Sequence, residues 1–244
     1  MKKFFTLLTL VGIMSASCQA AQKVDEFTTK SGKKVTITCI KHASMEINYN
    51  GVEIQVDPVG MWLKPETDYA TFPKANIILI THEHKDHFDR EAIHQIRTPA
   101  TSIYVNNAVL GHFKNGLVMK NGDKVQYADD ISIEAVPAYN TTPGREQFHP
   151  KGRDNGYVLT LDGLRIYIAG DTEDIPEMAD LKDIDIAFLP CNQPYTMTVD
   201  QAVKAAKIIK PKVLFPYHYN DTPVARISMQ LAGSGIDVRI RDYK

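Results

Sequence analysis

Cysteine is scarce in this chain, with three in 244 residues, at Cys18, Cys39 and Cys191. So few thiols make no disulfide framework; Cys39 and Cys191 could pair in an oxidising compartment, but the expectation is that both are small core residues. A long hydrophobic run is also lacking. The apolar stretch Phe4–Met14 is far short of the ~20 residues that cross a bilayer. Charge of one sign is absent: 28 Lys and Arg against 29 Asp and Glu leave a net −1. Such a balance has no general attraction for a polyanion, and no nucleic-acid partner is expected. No low-complexity tract or internal repeat is visible. Ser44 in "KHAS" lacks the flanking glycines of a nucleophile elbow, which removes the usual serine-hydrolase signature.

What is there begins with a leader. "MKKFFTLLTLVGIMSASCQA" carries two lysines, then an apolar stretch, then small residues, the layout of a secretory signal over residues 1–20. Two processing routes fit. Cys18-Gln19-Ala20 allows cleavage before Ala21, and Ser15-Ala16-Ser17-Cys18 resembles a lipobox that would lipidate Cys18. The expectation is an exported protein, periplasmic or held to the membrane by a lipid anchor, with one domain over residues 21–244.

The front half reads as strands. "KVTITCI", "SMEINY" and "VEIQV" alternate or run apolar, and Asn50-Gly51 between the last two is a strong hairpin signal. "IILI" at 77–80 is apolar throughout, as in a strand buried on both faces, and "DREAIHQI" after it is helical. Further strands follow in "SIYV", "ISIEAV", "YVLTL" and "LRIYIA". The back half alternates strand and helix. "IDIAFLP" precedes the helix "TVDQAVKAAKIIK", with Thr198 and Gln201 placed as a capping box; "VLFPYH", "VARISMQLAG" and "DVRIRDY" complete it. Many strands with a few helices predict an α/β protein of two sheets packed together, helices outside.

Four polar residues stand just past the ends of apolar strands: Asp57, His82, Asp171 and His218. Strand ends aim loop residues at a common point, so these are expected to converge. "THEHKDH", Thr81 to His87, adds density. Residues two apart on extended chain point the same way, so His82 and His84 can grip one ion and Asp86 with His87 a second. Imidazole and carboxylate without thiolate describe a catalytic centre for Zn2+, with Fe and Mn2+ as alternatives. Asp57 is expected beside this centre, accepting hydrogen bonds from the motif loop or a ligand imidazole. His42 reads either as a similar neighbour of the centre or as a plain strand-end residue.

The motif His82-x-His84-x-Asp86-His87 resembles that of the metallo-β-lactamase superfamily. "EIQVDP", "IYIAGDT" and "VLFPYHY" are similar to its other motifs. "KHASMEI", "VDPV", "GDT", "LP" and "YTM" look most like the metal-dependent hydrolases related to ascorbate-phosphate lactonase and N-acylphosphatidylethanolamine-hydrolysing phospholipase D. The resemblance implies an αβ/βα sandwich of two mixed sheets with helices outside. It also implies two divalent metal ions, with Asp171 bridging them and Asp86, His87 and His218 at the second. The family's third histidine belongs just after a strand, where this chain has Asn140 in "VPAYN". Between His87 and Asp171 only His94, His112 and His149 remain, and His149 is assigned with His82 and His84 to the first ion, Asn140 or a water being the alternative.

The implied chemistry is hydrolysis of an ester, lactone or phosphodiester by a metal-activated hydroxide, with Asp86 and Asp171 as the catalytic carboxylates and Asp86 handling the water's proton. The substrate is expected to be a small or lipid-like molecule. Lys151 and Arg153 beside His149 would suit an anionic group. Tyr195, Thr196, Met197 and Tyr217 are further candidates for the pocket, as are Tyr139, Trp62 and Asn220. Other readings are a β-lactamase-type amide hydrolase, a non-catalytic metal- or ligand-binding protein, or a di-iron redox enzyme. The last would need a flavin domain for which the chain has no residues left.

Overall fold

In the computed structural model, which describes residues 24–242, two seven-stranded mixed sheets pack face to face. The expected leader and Cys18 lie outside the described residues. The first sheet runs β1 (Val24–Thr28), β2 (Lys34–Lys41), β3 (Ser44–Tyr49), β4 (Val52–Val56), β5 (Ile77–Leu79), β6 (Ser102–Val105) and β7 (Leu117–Val118). The second runs β8 (Lys124–Ala128), β9 (Ile131–Ala138), β10 (Asp154–Leu161), β11 (Leu164–Ile168), β12 (Ile186–Pro190), β13 (Val213–Tyr217) and β14 (Asp237–Val238). Helix α1 (Arg90–Ile96) joins β5 to β6 and α2 (Asn107–His112) joins β6 to β7. Likewise α3 (Val199–Ile209) joins β12 to β13 and α4 (Ala225–Gln230) joins β13 to β14. This is the α/β sandwich expected from the sequence. Among the described residues no helix is long and apolar enough to cross a membrane.

Each sheet follows one plan. Four strands form an antiparallel meander, and from the fourth onward the pairing is parallel. The repeat is one of backbone topology. The side chains of the halves do not match, which is why no repeat shows in the sequence. Asp57 follows the fourth strand of one half and Asp171 the fourth strand of the other.

Local sequence explains the elements. Along β2, Val35, Ile37 and Cys39 are buried while Thr36 and Thr38 are half-exposed, the alternation of a strand with one face on the core. Each buried aliphatic side chain contributes about 1.5–3 kcal/mol. The run "IILI" serves two layers: Ile77 and Leu79 enter the core between the sheets, whereas Ile78 and Ile80 pack with Ile93, Ile96 and Val109 of α1 and α2. Asn50 and Gly51 both have positive φ, 50° and 83°, as a tight turn matched to strand twist requires. At the start of α3, the Thr198 hydroxyl accepts from Gln201 N (3.1 Å) and Gln201 Oε1 accepts from Thr198 N (2.9 Å). Cys39 and Cys191 are both core residues.

The expected last strand "DVRIRDY" pairs only over Asp237–Val238. Beyond it Arg239 and Arg241 turn to Asp25 on β1, at 3.0 and 2.6 Å. Those ion pairs tie the segment after β14 to the edge of the opposite sheet, while Arg239 N still donates to Leu214 O of β13 (2.8 Å).

Candidate metal centre

The ends of β4, β5, β11 and β13 and the β2–β3 turn bring their residues to one place. Gly170, between β11 and Asp171, has φ +65°, and a Cβ there would stand 2.8 Å from Asn155 O, so the approach to Asp171 admits only glycine. His42, Asp57 and His218 also hold left-handed backbone, with φ of 51°, 42° and 48°. Non-glycine residues avoid this region, and its use at three positions of one site marks backbone strain spent on aiming side chains.

Side chains that could hold a metal ion form overlapping groups, the donor atoms of each group lying within 4.8 Å of one another: His82, His84 and His149; His42, Asp86, His87 and His218; His82, His87 and Asp171. Asp171 lies between them. Its Oδ2 is 3.3 Å from both His149 Nε2 and His218 Nε2 and 3.9 Å from His82 Nε2; its Oδ1 is 3.3 Å from His87 Nε2. Donors bound to one ion at about 2.1 Å, subtending 90–109°, are about 3.0–3.4 Å apart. His82 Nε2, His87 Nε2, His218 Nε2 and Asp171 Oδ1 are buried and have no hydrogen-bond partner among the described residues. A buried polar atom left so costs about 1–3 kcal/mol, and four at one point are what a cation would satisfy.

The other ring nitrogens are held from behind. His87 Nδ1 meets Asp57 Oδ2 at 2.8 Å, His149 Nδ1 meets Asp154 Oδ2 at 2.9 Å, and His82 Nδ1 meets Thr81 Oγ1 at 3.0 Å. Such contacts fix tautomer and ring angle so that Nε2 faces the centre. Asp57 also accepts from Thr81 N (2.8 Å) and Thr81 Oγ1 (2.7 Å), linking the end of β4 to the motif loop. Glu83 turns to Arg153, at 3.4 Å, and the Lys85 ammonium sits 4.9 Å from the exposed Trp62 ring. Both leave the centre to the alternate residues His82, His84 and Asp86.

Charge sorts the imidazoles. Burial, aided by its histidine neighbours, pushes His82 well below the usual imidazole range and His84 below it. Burial works against charge on His218 too, yet Asp171 and Asp86 override it and hold its pKa at about 9; Asp171 and Asp57 do the same for His87, well above its usual value. Burial would raise Asp171, but His218 and His87 hold it well below the carboxylate range. The sign follows. A raised folded-state pKa stabilises fully below the unfolded value near 6.5, and the contribution is lost as pH rises through the folded value. The metal-free protein is therefore expected to lose stability as pH rises from 6.5 to 8. Lys41, lowered by burial to about 8, opposes the trend only above that window. Thermal unfolding of chelated protein across this range checks it, and a flat or rising melting temperature contradicts it.

The structure places the sequence candidates unequally. His149 stands with His82 and His84, their ring centroids 5.0 Å away. Asn140 follows β9, and its backbone N donates to His149 O (2.9 Å), so the loop between them folds back and presents His149 from its far end. The Asn140 amide donates to Tyr195 O (2.7 Å) and Arg145 O (3.3 Å). His94 and His112 are exposed on α1 and α2, away from these groups.

The expected anion-binding pair is a correction. Lys151 is drawn to Glu177 (2.9 Å) and Tyr139 OH (3.1 Å), and Arg153 is committed to Asp154 (2.7 Å) and Phe148 O (2.8 Å). Both cations are neutralised by carboxylates of this chain. Tyr217 is corrected too: it is fully buried with its OH toward Gly170 O (3.3 Å), because the last residue of β13 points into the core. Thr196 and Met197 are likewise buried, and Tyr139 nearly so. Tyr195 stays exposed, edge-on to Phe148 at 5.0 Å, beside the His149 loop.

Sequence reading missed Asp154, Thr81 and Glu173. Asp154 and Thr81 flank ligand-type histidines within five residues, the one available signal. Glu173, buried two residues beyond Asp171, accepts from Thr141 N (2.8 Å) and Thr142 N (2.7 Å) and so pins the loop that carries His149.

With this geometry the comparisons agree. A family model described as the Beta-lactamase superfamily domain matches residues 36–218, and the chain belongs to that superfamily. Within it the chain belongs with the UPF0173 metal-dependent hydrolases. It is 33% identical over 197 residues to the one from Ligilactobacillus salivarius, covering 77% of this chain and 86% of that protein. A crystal structure described as a metal-dependent hydrolase from Parabacteroides distasonis is 58% identical, with a TM-score of 0.88 over 91% of this chain and 100% of the other. Igni18, a metallo hydrolase from Ignicoccus hospitalis, is 25% identical with a TM-score of 0.71, covering 85% and 95%.

Proposed function

We propose that this enzyme is a hydrolase with two divalent metal ions, His82, His84 and His149 holding one, Asp86, His87 and His218 the other, and Asp171 shared. The observation that carries the reading is the Asp171 carboxylate, whose two oxygens reach imidazoles of both groups at 3.3 Å. Nitrogen-rich donors with carboxylate suit Zn2+ first, with Fe and Mn2+ as alternatives. When bound, such a pair supplies a water of lowered pKa and polarises the oxygen under attack.

The chain's own residues do the rest. Asp57, Asp154 and Thr81 keep three imidazoles oriented. Burial would raise Asp86, but the neighbouring His218 and His42 imidazoles hold it well below the carboxylate range. Being 35% exposed, it can accept a hydrogen bond from the attacking water and orient it. In this reading Asp86 also takes that water's proton and passes it to the leaving group. Lys151 and Arg153 each already pair with a carboxylate, so they give no reason to prefer phosphate over a neutral ester. The substrate class is an ester, lactone or phosphodiester on a small or lipid-like molecule, met after export if the leader is used.

The test is chelation, reloading and assay. Metal analysis is expected to find about two first-row ions per chain, and a screen over phosphodiesters, lactones and N-acylated lipids to find metal-restored hydrolysis, with β-lactams turned over least. A protein that takes up no such ion ends the reading.

A further inference from the structure

We propose that His42 is an additional ligand of the second ion, beside Asp86, His87 and His218. The inference rests on the two-metal reading above and adds to it a residue outside the metal-binding motifs. It makes the second site richer in donors than the first.

The observations begin with the backbone. His42 occupies the tight β2–β3 turn, where the pairing register shifts after Cys39, and its φ of 51° is one that a histidine adopts only under constraint. The constraint is visible on both sides. Lys41, 1% exposed, donates through Nζ to the carbonyls of Gly60, Leu63 and Pro65, anchoring the turn to the loop beyond β4. The His42 carbonyl accepts from His218 N at 3.0 Å, so the backbones of the two histidines are locked together. A turn so braced presents its side chain in one place.

That place is the centre. His42 Nε2 lies 3.1 Å from Asp86 Oδ2, and the His42 ring is 3.7 Å from the His218 ring and 5.9 Å from the His87 ring, centroid to centroid. His218 Nε2 is 3.5 Å from the same Asp86 oxygen. The two imidazole–carboxylate separations, 3.1 and 3.5 Å, are close to the roughly 3.0–3.4 Å of donors on one ion, and the donor atoms of His42, Asp86, His87 and His218 all lie within 4.8 Å of one another.

The chemical consequence is asymmetry. With Asp171 shared, the first site has three imidazoles and one carboxylate, the four donors of a tetrahedral ion such as Zn2+. The second has three imidazoles and two carboxylates. Five donors from the chain would suit an ion that takes more ligands than tetrahedral Zn2+ does, such as Mn2+ or Fe2+. The alternative for His42 is a hydrogen bond from Nε2–H to Asp86, which would leave it a positioning residue.

Two variants separate these roles. Glutamine keeps an N–H donor near the place of Nε2 but is a poor ligand, and alanine keeps neither. Co2+ is titrated into chelated protein and followed by its visible absorption, which reports affinity and coordination number together. Two Co2+ are expected in the parent, one with the strong bands of four-coordination and one with weak high-coordinate bands. His42→Gln and His42→Ala should both weaken the second Co2+ about 100-fold or more and strengthen its bands, leaving the first ion unchanged. Retention of the first ion shows that the variants are folded. If His42→Gln binds the second Co2+ like the parent, or if neither variant weakens it, His42 is no ligand and the proposal is overturned, with the two-metal reading intact. If the parent itself binds no Co2+, the two-metal reading fails and the proposal with it.

Discussion

Replacing Asp171 with asparagine is expected to take metal content from about two ions per chain to one or fewer and to lower hydrolysis by at least about 10³-fold. The substitution keeps the side chain's shape and removes its charge. That charge stands 3.3 Å from His87, His149 and His218, and among the described residues no other carboxylate reaches both groups. Metal ions stabilise a transition state by several kcal/mol, and at 1.36 kcal/mol per decade the loss of one ion accounts for a fall of this size. The variant has a second signature in the absence of metal. Asp171 is the main charge holding His218 near pKa 9, so in Asp171→Asn that imidazole should titrate lower, as seen in histidine NMR signals followed against pH. Metal analysis, assay and titration then separate a lost ligand from a lost fold. Full metal content in the variant would show that Asp171 is not shared.

His149→Ala is expected to remove one ion and leave the other, with activity down about 10²- to 10³-fold. His149 supplies one of three imidazoles to its group, and its removal also leaves Asp154 with Arg153 as its remaining close partner. Asn140→Ala is the matched control. It cuts the amide contacts to Tyr195 and Arg145 and loosens the same loop, but takes away no imidazole. His94→Ala and His112→Ala alter exposed helix residues and should leave both ions in place. Metal counts per chain decide among the four, and a His149→Ala protein that keeps two ions refutes the assignment.

The motif loop was legible because its spacing is local. His82, His84, Asp86 and His87 lie on one short piece of chain behind a strand whose burial on both faces is written in "IILI". Period-two alternation in "KVTITCI", the Asn50-Gly51 turn and the capping box of Thr198 and Gln201 are local in the same sense, and backbone sterics turn each into one structure. The strand-end positions of Asp57, Asp171 and His218 followed once the strands were read.

The pocket residues were less legible. Lys151 and Arg153 stand beside His149 in sequence, but their charges are spent on Glu177 and Asp154, pairings that depend on how a loop folds back. Tyr217 adjoins His218, yet Tyr217 ends β13 inside the core, whereas His218 lies just past the strand in left-handed backbone (φ 48°) and turns to the centre.

By itself, then, the sequence determined the donor residues on the motif loop, the strands that carry the others and the class of chemistry they can support, since each follows from residue type and short-range geometry. Only the tertiary structure decided which donors meet. It brought His149 rather than Asn140 to the first group, laid Asp171 between the groups, and set His42, 44 positions before Asp86 in the chain, 3.1 Å from its carboxylate. Those outcomes depend on contacts between residues far apart in the chain, which strand pairing and the packing of two sheets create and which no local pattern encodes.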